Sequence, residues 1–110
     1  PRPGRKVVYT GDTRPVDGTV ESADGADLLI HDGTFAADNE ERARKTAHST
    51  GGEAGEIAAR AGAERLALTH ISSRYGADPS PIKQEAVDAF DGEVFIPSDG
   101  QTVELPYPDE

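Results

Sequence analysis

An α/β layer, a sheet with helices packed on one face, is the fold class that this 110-residue sequence predicts. Three observations predict it. The large apolar residues gather into short β-branched runs that end in Gly or Asp, as buried strands do. Alanine-rich segments with helical spacing, each opened by a capping residue, lie between those runs. The two kinds of segment follow one another in the order β, β, α, α, β, α, β, β.

Taken in order, Lys6-Val7-Val8-Tyr9-Thr10 reads as a buried strand that stops at Gly11-Asp12. Pro15 to Ala26, rich in Gly and Asp, reads as loop. Asp27-Leu28-Leu29-Ile30-His31 is a second continuous apolar strand. Asp38 with Glu41 three residues on predicts an N-cap pair for a helix running to about Ala47. Thr50 with Glu53 repeats that spacing for a helix whose stripe is Ala54, Ile57, Ala58 and Ala61, closed by Gly62. Arg65 to His70 is the third strand. Ser80-Pro81 opens a helix with Ile82, Ala86 and Phe90 on one face. Glu93 to Pro97 and Gln101 to Leu105 predict a terminal hairpin around Asp99-Gly100, with 106–110 as a tail.

Composition narrows the function classes. The 20 Val, Ile, Leu and Phe residues can bury only a thin core, so patterning rather than bulk must hold the fold. There is no Cys, which excludes disulfides, a thiolate nucleophile and Cys-ligated zinc. No apolar run is long enough to span a membrane, and the opening Pro-Arg-Pro-Gly-Arg-Lys is no signal peptide, so a cytoplasmic protein without membrane contact is expected. The absence of Met, even at position 1, predicts a fragment. A net charge of −10 opposes binding of nucleic acid by this chain alone in dilute salt. With 21 acidic residues, 8 Arg and only 3 Lys, the composition suits molar salt, where the Debye length is about 3 Å and only close contacts persist.

Three predicted strands end in or beside a group able to bind metal: Asp12, His31 and His70. Ligands of α/β sheets gather beyond the carboxyl ends of the strands, where rigid backbone holds side chains and loops admit substrate. The three are far apart in sequence and form no local metal motif, so a turn Asp and polar His residues are the plainer reading. His48-Ser49-Thr50 precedes a helix. Thr50 there either caps the helix or, with Gly51-Gly52, presents backbone N–H groups to an anion, with His48 as phosphate contact or proton donor. Ser72-Ser73-Arg74 is a polar loop or a second phosphate contact through the Arg fork.

Four words appear in sequence: Gly11-Asp12-Thr13-Arg14-Pro15, Leu28 to Phe35 containing His31-Asp32-Gly33-Thr34, His48-Ser49-Thr50 followed by Glu53-Ala54, and Leu68-Thr69-His70-Ile71-Ser72-Ser73-Arg74-Tyr75. Together they resemble the C-terminal part of ribonuclease Z, the tRNA 3′-processing endoribonucleases of the metallo-β-lactamase superfamily. The resemblance runs from about Val7 to Tyr75. It implies the C-terminal half of an αββα sandwich, with 1–110 forming a single half-domain. It implies two zinc ions in the complete enzyme, with Asp12 as bridging carboxylate and His70 as a ligand of one ion. It further implies that Asp32 orients His48, which contacts the scissile phosphate or assists the leaving oxygen; Arg74, Ser72 and Thr50 are candidate substrate contacts. Asp32-Gly33 stands where the family usually carries Glu-Ala. The shorter Asp needs a closer backbone, which Gly33 permits.

The resemblance further implies cleavage of the 3′ trailer from precursor tRNA, leaving a 3′-hydroxyl. The remaining zinc ligands and the proposed general base belong to a His-x-His-x-Asp-His motif and one further histidine, which three His in this chain cannot supply. The isolated chain is therefore expected to be inactive and to hold zinc weakly or not at all. Half a sandwich leaves apolar strand faces open, so a homodimer or other self-association is expected. Two alternative readings are another hydrolase of the same superfamily and a non-enzymatic acidic module that pairs with a second chain.

Overall fold

The computed structural model describes residues 6–10, 14–72 and 78–97. Four strands, β1 (Val7–Tyr9), β2 (Leu28–Asp32), β3 (Arg65–Thr69) and β4 (Glu93–Phe95), form one sheet in the order β1-β2-β3-β4. Every pairing is parallel. Parallel neighbours need crossover connections, and right-handed crossovers that always step the same way put their helices on the same face. Four helices supply these connections: α1 (Asp17–Ser22), α2 (Glu40–Thr46), α3 (Gly51–Ala61) and α4 (Ser80–Ala89).

Register places Val8, Leu29, Leu66 and Val94 side by side across the four strands, and all four pack into the core beneath the helices. From α3 the stripe Ala54, Ile57, Ala58 and Ala61 meets them, and from α4 Ile82, Ala86 and Phe90. Small residues let α3 and α4 approach closely. A Cβ built on Gly51 would lie 2.1 Å from the Ile82 carbonyl oxygen, and one on Gly55 2.8 Å from that of Ala86. A core short of large side chains is thus filled by bringing backbones together.

Helix α3 begins and ends as its sequence requires. Thr50 Oγ1 accepts from the Glu53 N–H at 3.1 Å while Glu53 Oε1 accepts from the Thr50 N–H at 2.9 Å, a complete capping box. Gly62 closes it in the left-handed region at φ 69°.

Elsewhere the structure corrects the expectations. β1 is an edge strand among the described residues, with Val7 and Tyr9 exposed rather than buried. The segment expected as loop contains α1, whose Gly, Thr and Val are poor helix formers. Packing against α3 and burial of Thr19, with Ala23 and Ala26 in the core just beyond, overrides propensity. Asp38 does not cap α2: it lies inside a 3-10 turn, Ala37–Asn39, and α2 has no side-chain cap. Helix α4 starts at Ser80 with Pro79 as N-cap, and the Ser80 N–H is taken by Asp78 Oδ1 at 3.1 Å. The first arm of the expected hairpin is β4, parallel to β3; the second arm, 101–105, and the tail lie outside the described residues. Among the described residues no helix is long and apolar enough to cross a membrane.

Candidate functional site

The polar node of the molecule forms where β2 ends. Asp32 is wholly buried, and among the described residues Thr34, His48 and Ser49 bring donors to its carboxylate. Oδ1 accepts from the Thr34 N–H at 3.1 Å and from the Thr34 hydroxyl. Oδ2 accepts from His48 Nδ1 at 2.8 Å and from the Ser49 N–H at 3.2 Å. A buried carboxylate is tolerable because its lone pairs are filled in this way. The short Asp side chain reaches the His48 ring directly. Gly33 donates its N–H to Thr69 O at 3.0 Å, and a Cβ there would lie 2.9 Å from Leu68 Cδ2, so a side chain at 33 would press on β3.

His48 is held on three sides. The α2 helix ends with Ala47 in the left-handed region at φ 60°, which turns the chain so that the His48 N–H donates to Ala43 O at 2.9 Å. Its carbonyl accepts from Arg14 Nη1 at 2.7 Å. Its ring Nδ1 faces Asp32 Oδ2, with Thr34 Oγ1 at 3.1 Å. Since the Thr34 hydroxyl proton is directed to Asp32, both neighbours of Nδ1 are acceptors, and the ring proton is assigned to Nδ1. Nε2 is then the nitrogen left for an outside partner, on a side chain that is 22% exposed. Phe35 packs edge-on against the ring, with centroids 6.3 Å apart.

Arg14, which the sequence reading did not single out as a site residue, sits astride this node. Nη1 and Nη2 reach the two carboxylate oxygens of Glu53 at 2.9 and 2.7 Å, in addition to the His48 carbonyl. Thr34 was likewise missed. Its signal was the spacing Asp32-x-Thr34, which favours a side-chain to backbone bond of the Asx type.

The other candidates divide. His70 follows β3 directly; its imidazole is exposed and its backbone stands at φ 59°, a conformation that costs a non-glycine residue energy and collects at functional sites. The Ser72 N–H donates to Thr34 O at 3.0 Å, which brings the loop after β3 to the Asp32 node. Thr50 is buried and its hydroxyl caps α3, so the structure gives it the capping role rather than a substrate contact. Nor do Gly51-Gly52 make an anion cradle: the Gly51 N–H is taken by Phe35 O at 3.0 Å, and the Glu53 carboxylate already occupies the first turn. Asp12 and Arg74 lie outside the described residues.

His31 lies in the core. Fully buried, it donates from Nδ1 to Asp32 O at 2.8 Å, while Nε2 has no hydrogen-bond partner among the described residues. Desolvation lowers its pKa below the ordinary 6.5, against the opposing pull of the Asp32 backbone bond and the Asp32 and Glu53 charges. Among the described residues no three His, Asp or Glu side chains stand together as a metal site.

Comparison with known proteins places this geometry. The family described as a beta-lactamase superfamily domain matches residues 1–71. Ribonuclease Z of Natronomonas pharaonis is 69% identical over all 110 residues, which make up 36% of that relative. The metallo-β-lactamase-fold protein YhfI from Bacillus subtilis superposes with a TM-score of 0.78 at 37% identity, over 86% of this chain and 38% of that one. Human tRNase Z, short form, superposes with a TM-score of 0.73 at 33% identity, over 94% of this chain and 34% of that one. The chain thus spans about a third of the length of the curated relatives it matches. A parallel sheet with helices on one face, a buried Asp paired with a His at a strand end and a family match over well more than half its residues together show that this chain belongs to the β-lactamase superfamily.

Proposed function

We propose that this chain is part of a ribonuclease Z-type endoribonuclease that removes the 3′ trailer from precursor tRNA and leaves a 3′-hydroxyl. The observation that carries the reading is the Asp32–His48 pair: a buried carboxylate that aims one imidazole, leaving Nε2 outward. In the proposed reaction water attacks phosphorus, the P–O3′ bond breaks, and the departing O3′ takes up a proton. With Nδ1–H held by Asp32, His48 carries a second proton on Nε2 only for the reaction step, where it hydrogen-bonds a phosphate oxygen or passes that proton to O3′, and the Asp32 carboxylate is the counter-charge for the imidazolium. Thr34 holds Asp32 in place for this, and Arg74 and Ser72 contact the tRNA.

The superfamily and the relatives imply metal use. We assign it to two zinc ions in the complete enzyme, with Asp12 and His70 among the ligands. Zinc, when bound, would supply Lewis acidity and acidify the attacking water. Because the chain itself contributes so few donors, the 110 residues alone are expected to be inactive and to bind zinc weakly, in a cytoplasmic setting of high salt. Self-association through the exposed Val7 and Tyr9 of β1 is part of the same reading.

The test is His48→Ala in the enzyme that carries this chain, assayed on precursor tRNA with metal content measured in parallel. Loss of a proton donor of this kind lowers the rate by about 10²–10⁴-fold. Cleavage at an undiminished rate, with metal retained, refutes the role of His48. YhfI, with the higher TM-score of the two structures, favours a second reading as another hydrolase of the superfamily. Metal-dependent hydrolysis of a simple phosphodiester without cleavage of precursor tRNA would select it.

A further inference from the structure

The Asp32 carboxylate orients the His48 ring, but it does not explain what holds the His48 backbone at the distance where that bond forms. His48 leaves α2 through a left-handed Ala47, a conformation that alanine does not hold unaided. Past His48 the chain enters α3 through Thr50, whose partner in the capping box is Glu53. Arg14 reaches this stretch from the segment after β1. It forks onto both Glu53 oxygens and places a third bond on the His48 carbonyl. Both partners of the ion pair are largely buried, with side-chain exposures of 25% and 19%, so screening by salt acts on them less than on a surface pair. Among the described residues, the pairs Arg44–Glu40, Lys45–Glu41, Arg60–Asp17 and Arg65–Glu93 each carry at least one well-exposed partner and lie away from the node.

We propose that Arg14 and Glu53 are positioning residues: a clasp that fixes the His48 main chain, and through it the imidazole, relative to Asp32. The proposal rests on the reading of His48 given above for its catalytic consequence, but not for its structural one. Planarity is what suits Arg to the task, since one guanidinium satisfies two carboxylate oxygens and a carbonyl at once, which a lysine ammonium on a flexible stem does not. A residue of purely structural value would change stability alone. A clasp changes which imidazole nitrogen carries the proton, because a displaced His48 no longer meets Asp32.

The experiment follows the His48 tautomer in the imidazole ¹H–¹⁵N spectrum of the ¹⁵N-labelled enzyme that carries this chain, for wild type, Arg14→Ala, Arg14→Lys and Glu53→Gln. Wild type is expected to hold the proton on Nδ1. Arg14→Ala is expected to lower the Nδ1-H to Nε2-H ratio at least threefold, with Arg14→Lys and Glu53→Gln moving the same way by less. In the enzyme that carries this chain, Arg14→Ala is expected to lower kcat on precursor tRNA at least tenfold with KM within twofold. An unchanged tautomer ratio in folded Arg14→Ala overturns the proposal. Where Arg14→Ala does not fold, Arg14→Lys decides, and a wild-type ratio there overturns it equally. A shifted ratio in a chain whose parent cleaves no tRNA refutes the nuclease reading and leaves the clasp standing.

Discussion

The two ends of the α3 entrance are built on opposite principles. On one side, Asp32, Thr34, His48 and Ser49 form a node in which each carboxylate lone pair has a donor. On the other, Gly51 and Gly55 let α3 press against Ile82 and Ala86 of α4 with almost no side chain between. The node is specified by chemistry: atoms of the wrong polarity break it even when they fit. The helix contact is specified by volume: atoms of the right polarity break it because they do not. A few residues of α3 and its approach serve both, so the packing of α4 bears on where His48 stands.

Removing the carboxylate attacks the first principle with the largest expected effect. Asp32→Ala strands the Ser49 and Thr34 N–H groups and the His48 ring, and is expected to cost about 3–5 kcal/mol in urea unfolding, the range for breaking a buried pair. Adding one methyl attacks the second. Gly51→Ala sets a Cβ against the Ile82 backbone and should destabilise by about 1–3 kcal/mol. Its neighbour sharpens the comparison: a Cβ on Gly52 meets only the Glu85 side chain, Cβ at 3.7 Å and Oε1 at 3.8 Å, in ordinary contact, so Gly52→Ala should instead stabilise by about 0.4–1 kcal/mol through the unfolded chain. Thermal melts of the two variants should move in opposite directions; the same sign for both would defeat the volume argument.

His31, adjacent to Asp32 in β2, shows what an unsatisfied polar group does beside a satisfied one. Its folded pKa lies below 6.5, so the unfolded chain binds the proton first as the medium is acidified. Its neutral form is fully stabilising above pH 6.5, and stability drains away as pH falls from there toward the folded pKa. The slope is at most about 1.4 kcal/mol per pH unit. Urea midpoints at pH 8 and 5.5 should differ in wild type, and the difference should shrink in His31→Leu. An effect as small as that at Gly52 is expected at Ala47, where φ 60° suits glycine; Ala47→Gly should raise stability by about 0.5–1 kcal/mol, read by urea unfolding.

Legibility followed sequence distance. The Thr50–Glu53 capping box, the Gly62 stop and the alanine stripe of α3 were readable because their partners lie within a turn or two of each other. So were the cores of β2 and β3, as continuous apolar runs. Pairing of Asp32 with His48 came only through resemblance to a family, since nothing in a 16-residue separation announces it. Arg14 and Glu53, 39 residues apart, carried no local mark at all. Gly51-Gly52 left two readings open: glycine at a helix start has the same spelling whether it exposes N–H groups to an anion or makes room for a neighbouring backbone. α1 was hidden for the converse reason, its residues being poor helix formers that tertiary packing recruits.

By itself the sequence determined the α/β class, the order of most elements, the start and end of α3 and the shortage of bulky core residues. These depend on spacing and composition, and local physics acts on them before the chain has folded. Only the tertiary structure decided that the four described strands run parallel, that β1 lies open at the edge, that Gly51 packs rather than binds, and that Arg14 closes on Glu53 and His48. Those outcomes depend on which surfaces meet across the crossovers, and a contact between residues distant in the chain has no energy until the backbone has brought them together.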